Sequence, residues 1–166
     1  MTTESICILT TGGTIDKVYF DAKSEYQVGG PAIEAILEEG GARFPYRIES
    51  ILRKDSLDMS DDDRKLIRTS LDHQTESRVL ITHGTDTMVD TAKSLQGIEG
   101  KTVVLVGSLT PANFKNSDAP FNIAFALGAL QCLPNGVYIA MNGMVFRPEE
   151  VRKNRDKGCF ELVTAS

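Results

Sequence analysis

The chain alternates between short, unbroken apolar runs and segments with helical spacing, and few folds tolerate that order. Ile6 to Leu9, Arg78 to Thr82, Thr102 to Val106 and Val137 to Met141 read as strands that are apolar on both faces. Only a sheet covered on both sides can bury such strands. Helical patterns lie between them. Pro31 opens one, in which Ile33, Ile36 and Leu37 form a stripe ended by Gly40 and Gly41. Ser60 caps a second, with Leu66, Ile67 and Leu71 inward; Val89, Ala92 and Leu95 mark a third, ending at Gly97. Phe121 to Leu133 is a fourth and is apolar nearly all round, which implies deep packing or a subunit interface. Tyr46 to Leu52 alternates as a further strand, and Met144 to Phe146 completes the sheet before a charged tail.

A β-α-β alternation specifies a mainly parallel sheet with helices on both faces. The expected fold class is therefore α/β, a three-layer α-β-α sandwich with a flavodoxin- or Rossmann-like sheet. At 166 residues the chain is expected to be one domain, 1–166, large enough to bury a full core. A formal net charge of -5 argues against nucleic-acid and anionic-membrane partners, which demand clustered Lys and Arg. Met1 to Ser5 holds Glu4 and no basic stretch, so no export signal is expected and the location is read as cytoplasmic. Cys7, Cys132 and Cys159 match neither a disulfide framework nor a metal motif, and Cys7 and Cys132 are expected to be core filler. Asp61, Asp62 and Asp63 invite a metal reading. Directly after Ser60, however, they complement a helix dipole, with Asp63 where a serine cap expects an acid. With only His73 and His83 besides, no metal site is expected.

The informative residues sit at strand ends, where open α/β sheets bind their ligands. Three strands deliver Gly with Thr or Ser to one edge: Gly12, Gly13 and Thr14 in TTGGTID; Gly84, Thr85 and Asp86 in THGTDTM; Gly107 and Ser108 in GSLTPANFKNSDAP. Threonine becomes a nucleophile when a neighbour removes its proton, and a lysine balanced by Asp86 could serve. Backbone N–H groups beside the glycines could hold an oxyanion, and without a Cβ the chain can approach a small ligand closely. Two other readings stay open. Gly-rich strand-to-helix turns also cradle phosphates, although neither G-x-G-x-x-G nor G-x-x-x-x-G-K-[ST] occurs at these junctions. A non-catalytic binding module would use Thr85 and Asp86 as no more than a helix cap and a first-turn acid. Lys17 to Gly30 shows no helical or strand period, and is expected to be a long functional loop carrying Tyr19, Phe20 and Tyr26.

TTGGTID, SEYQVG from Ser24, DSLDM from Asp55, THGTDTM, SDAPFN from Ser117 and VRKN from Val151 follow one another in an order and spacing that resemble the N-terminal domain of bacterial-type L-asparaginases. The resemblance runs from about Ile6 to Phe160. It implies hydrolysis of L-asparagine to L-aspartate and ammonia, without metal or organic cofactor. By the same resemblance Thr14 is the nucleophile, with Tyr26 beside it on a loop that closes over substrate. Thr85, Asp86 and Lys153 form an activating set. Ser56, Asp86 and the backbone near Gly84 hold the substrate's α-carboxylate and α-amino groups, and Gly13, Leu57, Thr85 and Ser108 complete the binding list.

Two departures from the family pattern shape the expectation. Typical members carry a second domain after a position near Phe160, so the chain is either a short single-domain member or a fragment or inactive remnant; the intact VRKN segment and charged end favour the first, and the chain is expected to complete its site as a homo-oligomer, a dimer or tetramer. Leu57 stands where many members place a polar residue, so a weaker KM and little glutaminase activity are expected. Two alternatives belong to the same chemistry: a related amidase acting as the ammonia-releasing partner in transamidation, and a non-catalytic binder of asparagine or aspartate.

Overall fold

A computed structural model describes residues 4–163. Most of Met1 to Ser5, on which the expectation of no export signal rests, lies outside that range. The strands are β1 (Ile6–Gly12), β2 (Lys17–Phe20), β3 (Glu25–Val28), β4 (Tyr46–Lys54), β5 (Arg78–Thr82), β6 (Thr102–Val106), β7 (Gly136–Met141), β8 (Met144–Phe146), β9 (Val151–Asn154) and β10 (Cys159–Leu162). The helices are α1 (Ile33–Glu39), α2 (Asp61–Asp72), α3 (Met88–Ser94) and α4 (Ala119–Cys132), with single 3-10 turns at Thr14–Asp16, Asp21–Lys23, Ser56–Asp58 and Pro148–Glu150. Six strands form the central sheet in the order β4-β1-β5-β6-β7-β8. All neighbours pair in parallel except β7 and β8, which are antiparallel. This is the expected α/β architecture.

Every residue of β1 and β6 is buried, so both faces of the sheet are covered. α4 packs on β5, β6 and β7 and against α1, while α2 packs on α3. Two helix pairs covering two faces place α1 with α4 on one side and α2 with α3 on the other. Chain direction then fixes the hand of each crossover. α1 carries the chain from β1 outward to β4, whereas α2, α3 and α4 carry it the other way. Lying on the face of α1, the β6-α4-β7 connection has the opposite hand to the other three. Parallel crossovers are almost always right-handed, so α4 makes the rare left-handed one. The long stretch from Gly107 to Asp118 gives the backbone the length that this change of face requires.

Helix ends follow local chemistry. Ser60 accepts from the Asp63 N–H while the Asp63 carboxylate accepts from the Ser60 N–H, a complete capping box. The same carboxylate takes the Lys54 ammonium at 2.8 Å, which lowers its pKa to about 2. Ile67 and Leu71 are buried under α2, whereas Leu66 points outward, one residue off the inward face. On α4, Ile123, Ala126 and Leu130 are buried while Phe121 is exposed and stacks on Phe125.

Two segments differ from expectation. Lys17 to Gly30 is largely an antiparallel hairpin rather than an open loop: β2 and β3 pair with Tyr19 opposite Tyr26, and Ser24 turns the chain at φ 52. Four-residue strands are too short to show a period. The charged tail is likewise a hairpin. β9 pairs with β10, placing Lys153 opposite the buried Phe160, whose N–H donates to Asn142 Oδ1 at 2.9 Å. Cys7 is in the core, but Cys132 is exposed because it falls on the outer side of the last turn of α4. No helix among the described residues is long and apolar enough to cross a membrane.

Candidate active site

β1 and β5 are neighbours in register, Thr10 beside Thr82, and the chain leaves them toward α1 on one face and α3 on the other. Such a divergence opens a crevice at the C-terminal edge of the sheet. Here the crevice is floored by glycine backbone. Gly13 (φ 90, ψ -173) lies so close to Gly84 that a Cβ on it would collide with the Gly84 backbone. A Cβ on Gly84 would in turn sit 2.6 Å from Ser56 Cβ and Oγ, and one on Gly107 would strike the His83 carbonyl. The ends of β1, β5 and β6 and the Ser56 turn are thus in direct contact. Thr11 Oγ1 donates to the Thr82 carbonyl at 2.8 Å, and Thr87 Oγ1 donates to the Ser56 carbonyl at 2.8 Å. The Ser56 hydroxyl itself is buried and has no hydrogen-bond partner among the described residues.

His83 lies beneath this floor. Its Nδ1–H donates to the Gly84 carbonyl at 2.7 Å, since that oxygen can only accept, and its Nε2 accepts from the Thr91 hydroxyl at 2.8 Å. Complete burial pushes its pKa down to about 4, so the ring is neutral at physiological pH and acts as a support.

On the floor stand Thr85 and Asp86. The Lys153 ammonium, delivered by β9, donates to Thr85 Oγ1 at 2.8 Å and to Asp86 Oδ1 at 2.9 Å. Its side chain is only 15% exposed, and the adjacent carboxylate compensates the cost of withdrawing the charge from water. Arg155 approaches the same carboxylate oxygen at 3.4 Å from the solvent side. The structure therefore brings together three of the five residues expected to do chemistry, across 68 residues of sequence.

Thr14 follows Gly13 directly, half-buried at the start of its 3-10 turn. Tyr26 stands on the hairpin, half exposed, with its ring 5.4 Å from Tyr19 and 5.9 Å from Phe114. No hydrogen bond joins Tyr26 to Thr14 among the described residues. Leu57 is 62% exposed at the tip of the Ser56 turn, where its N–H donates to Asp55 Oδ1 at 3.1 Å. Burial alone would raise the Asp55 pKa, but Lys17 at 2.6 Å and that N–H outweigh it and hold the carboxyl below its ordinary value. An open cleft of about 590 Å³ lies alongside, lined by Lys17, Tyr26, Val28, Lys54, Asp55 and Asp58 among others.

Ser108 is buried, and its hydroxyl donates to the Thr110 carbonyl at 2.6 Å. The hydroxyl is thereby committed to its own loop.

Two acids that the sequence reading left without a role prove to organise the site. Asp118 accepts from the N–H groups of Leu109 and Thr110, and Asn122 Nδ2 bridges it to the Gly107 carbonyl. This gives the SDAPFN run a physical task, folding the third strand-end loop back on itself. Asp16, two residues after Thr14, accepts from the Ala32 N–H at 2.8 Å while its own carbonyl takes the Gly29 N–H, so it closes the base of the hairpin. Burial raises its pKa to about 6 against the Ala32 N–H and Arg53, which lower it. Its place three residues after the paired glycines, at the end of TTGGTID, is the available signal.

Residues 5–161 match the family model described as asparaginase, N-terminal. The chain belongs to the asparaginase family. Among curated relatives, a protein of Haemophilus influenzae described as a probable periplasmic L-asparaginase is 34% identical over 160 residues, covering 90% of this chain and 46% of the relative. L-asparaginase 2 of Escherichia coli is 35% identical over 174 residues, covering 96% and 49%. A glutaminase-asparaginase of Acinetobacter glutaminasificans is 29% identical over 167 residues, covering 90% and 49%. Among solved structures, L-asparaginase I of Vibrio cholerae superposes with a TM-score of 0.84 at 27% identity, over 98% of this chain and 52% of that one. This asparaginase-family chain spans about half the length of the curated relatives it matches.

Proposed function

We propose that this asparaginase-family chain hydrolyses L-asparagine to L-aspartate and ammonia, with Thr14 as nucleophile. The observation that carries the reading is the Lys153 ammonium held between Thr85 and Asp86 at 2.8 and 2.9 Å, beside a glycine floor that ends one residue before Thr14. Binding alone needs no such arrangement of hydroxyl, cation and carboxylate. In this reading Thr14 Oγ bonds to the side-chain amide carbon as its proton passes through the Tyr26 hydroxyl toward the amide nitrogen. The developing oxyanion is held by backbone N–H groups beside the glycines. The C–N bond breaks, ammonia departs and an acyl-threonine remains. Water then adds to the acyl carbon, its proton handed through Thr85 under the influence of Lys153, and aspartate leaves as the proton returns to Thr14 Oγ. No step calls on a metal or organic cofactor.

Asp86 takes the substrate's α-ammonium group, and the unpartnered Ser56 hydroxyl and the Gly84 N–H take its α-carboxylate, while Gly13, whose N–H is already given to the Lys54 carbonyl at 2.9 Å, shapes the floor beneath it. Ser108 shapes the wall through its loop. Leu57 offers a methyl group where a hydrogen bond would strengthen binding by about 0.5–1.5 kcal/mol, which gives a raised KM and little glutaminase activity. The active form is a homo-oligomer to which the exposed Phe121 of α4 contributes. Light scattering that finds an active monomer removes that last part.

Ammonia release from L-asparagine, L-glutamine and D-asparagine tests the reading. Turnover of L-asparagine well above the other two bears it out, and a folded protein that releases no ammonia from L-asparagine overturns it.

A further inference from the structure

The loop that runs from β6 to α4 does more than change faces. Its early part is fixed by Asp118, and its middle reaches the nucleophile turn, where the Ala112 N–H donates to the Ile15 carbonyl at 3.1 Å. Two residues later Phe114 packs its ring on Tyr26, with centroids 5.9 Å apart and planes tilted by 55°. Tyr26 meets its cross-strand partner Tyr19 at 5.4 Å in the same tilted manner. One braced loop therefore touches both the turn that carries Thr14 and the hairpin that carries Tyr26.

The hairpin is also held near its base. At its base Lys17 pairs with Asp55 at 2.6 Å, and the Asp16 carbonyl takes the Gly29 N–H at 2.7 Å. Tyr19, Phe20, Tyr26 and Phe114 are all about half exposed, so the aromatic group lies at the protein surface. Tilted aromatic contacts of this geometry contribute beyond the area they bury, and they fix orientation because the ring edge must meet the partner's face.

Resting on the assignment of Thr14 and Tyr26 above, we propose that Phe114 is a positioning residue: it seats the Tyr26 ring and so sets where the hairpin rests relative to Thr14. It touches neither substrate nor reacting atoms. Tyr26 makes no hydrogen bond to Thr14 in the free protein, so the phenol must be brought to the hydroxyl when substrate binds, and a seat displaced by an ångström puts proton transfer out of reach; the effect of losing Phe114 therefore falls mainly on kcat rather than KM.

The test compares the full chain with Phe114→Ala and Phe114→Tyr, using hydrogen–deuterium exchange of residues 17–28 beside the kinetics of ammonia release from L-asparagine. Phe114→Ala is expected to speed exchange in the hairpin and lower kcat, each by about tenfold, a change equal to about 1.4 kcal/mol. KM and exchange in β1, β5 and β6 stay unchanged. Phe114→Tyr, which keeps the ring, restores both readouts. Unchanged hairpin exchange in Phe114→Ala overturns the proposal, as does a kcat that falls equally in Phe114→Tyr. A wild-type protein inert on L-asparagine overturns the functional reading instead, and the exchange comparison then decides the seating of the hairpin by itself.

Discussion

Replacing Gly84 by alanine is the smallest change that tests whether backbone contact builds the site. The added Cβ would lie 2.6 Å from Ser56 Cβ and Oγ and 3.1 Å from Ser56 N. Carbon contacts become comfortable at about 3.5–4.0 Å, so the Ser56 turn must retreat by about 1 Å. Overpacking of this kind costs about 1–3 kcal/mol, which a protein of ordinary stability survives. A shift of about 1 Å among positioning groups costs about 100-fold in rate. Gly84→Ala should therefore lose about 100-fold in kcat/KM for L-asparagine while urea unfolding reports a loss of only about 1–3 kcal/mol. Gly128→Ala is the control. Gly128 lies within α4, and a Cβ there meets nothing within 4 Å. It should gain about 0.5–1 kcal/mol from helix propensity and keep full activity. A Gly84→Ala protein with kcat/KM within threefold of wild type would refute the argument from close backbone contact.

Lys153→Met removes both charge-assisted bonds, to Thr85 and Asp86, and leaves Arg155 at 3.4 Å as the remaining cation on Asp86. Stopped assays should show kcat reduced by about 100- to 10,000-fold with a stability loss of about 1–3 kcal/mol; a kcat within tenfold contradicts the role given to Lys153. Asp16 has its folded pKa raised to about 6 from 3.8, so its stabilising contribution is complete below about pH 4 and is lost as pH rises through 6. Between pH 4 and 7.5 the stability of wild type should fall by about 2–3 kcal/mol relative to Asp16→Asn in urea titrations, and parallel profiles would disprove the shift. Leu57→Ser restores a hydroxyl at the α-amino end, so steady-state kinetics should show KM lowered about two- to tenfold at unchanged kcat; an unchanged KM removes Leu57 from the binding list.

The sheet was legible because its strands announce themselves. Ile6 to Leu9 and Val79 to Thr82 are unbroken apolar runs ended by glycine, and such runs have few other uses. The capping box was legible too, since Ser60 and Asp63 interact within one turn of helix. What could not be read was non-local or too short to show a period. β2 and β3 are four residues each and owe their pairing to the turn at Ser24. The hand of the α4 crossover depends on which face the helix covers, a property of the assembled layers. The meeting of Lys153 with Thr85 is expected from the family resemblance alone and from no local pattern, because it depends on β9 returning to the sheet edge, where Asn142 anchors its hairpin partner. Ser108 shows the reverse limit: its type and place fit a ligand, but the Thr110 carbonyl two residues away takes its hydroxyl.

The most direct test of the account is ammonia release from L-asparagine by wild type and Thr14→Ala, with circular dichroism confirming that both are folded. The account predicts turnover by wild type and none above background by Thr14→Ala. Turnover by Thr14→Ala at more than about a hundredth of the wild-type rate, the scale on which loss of a single catalytic group is felt, would contradict it.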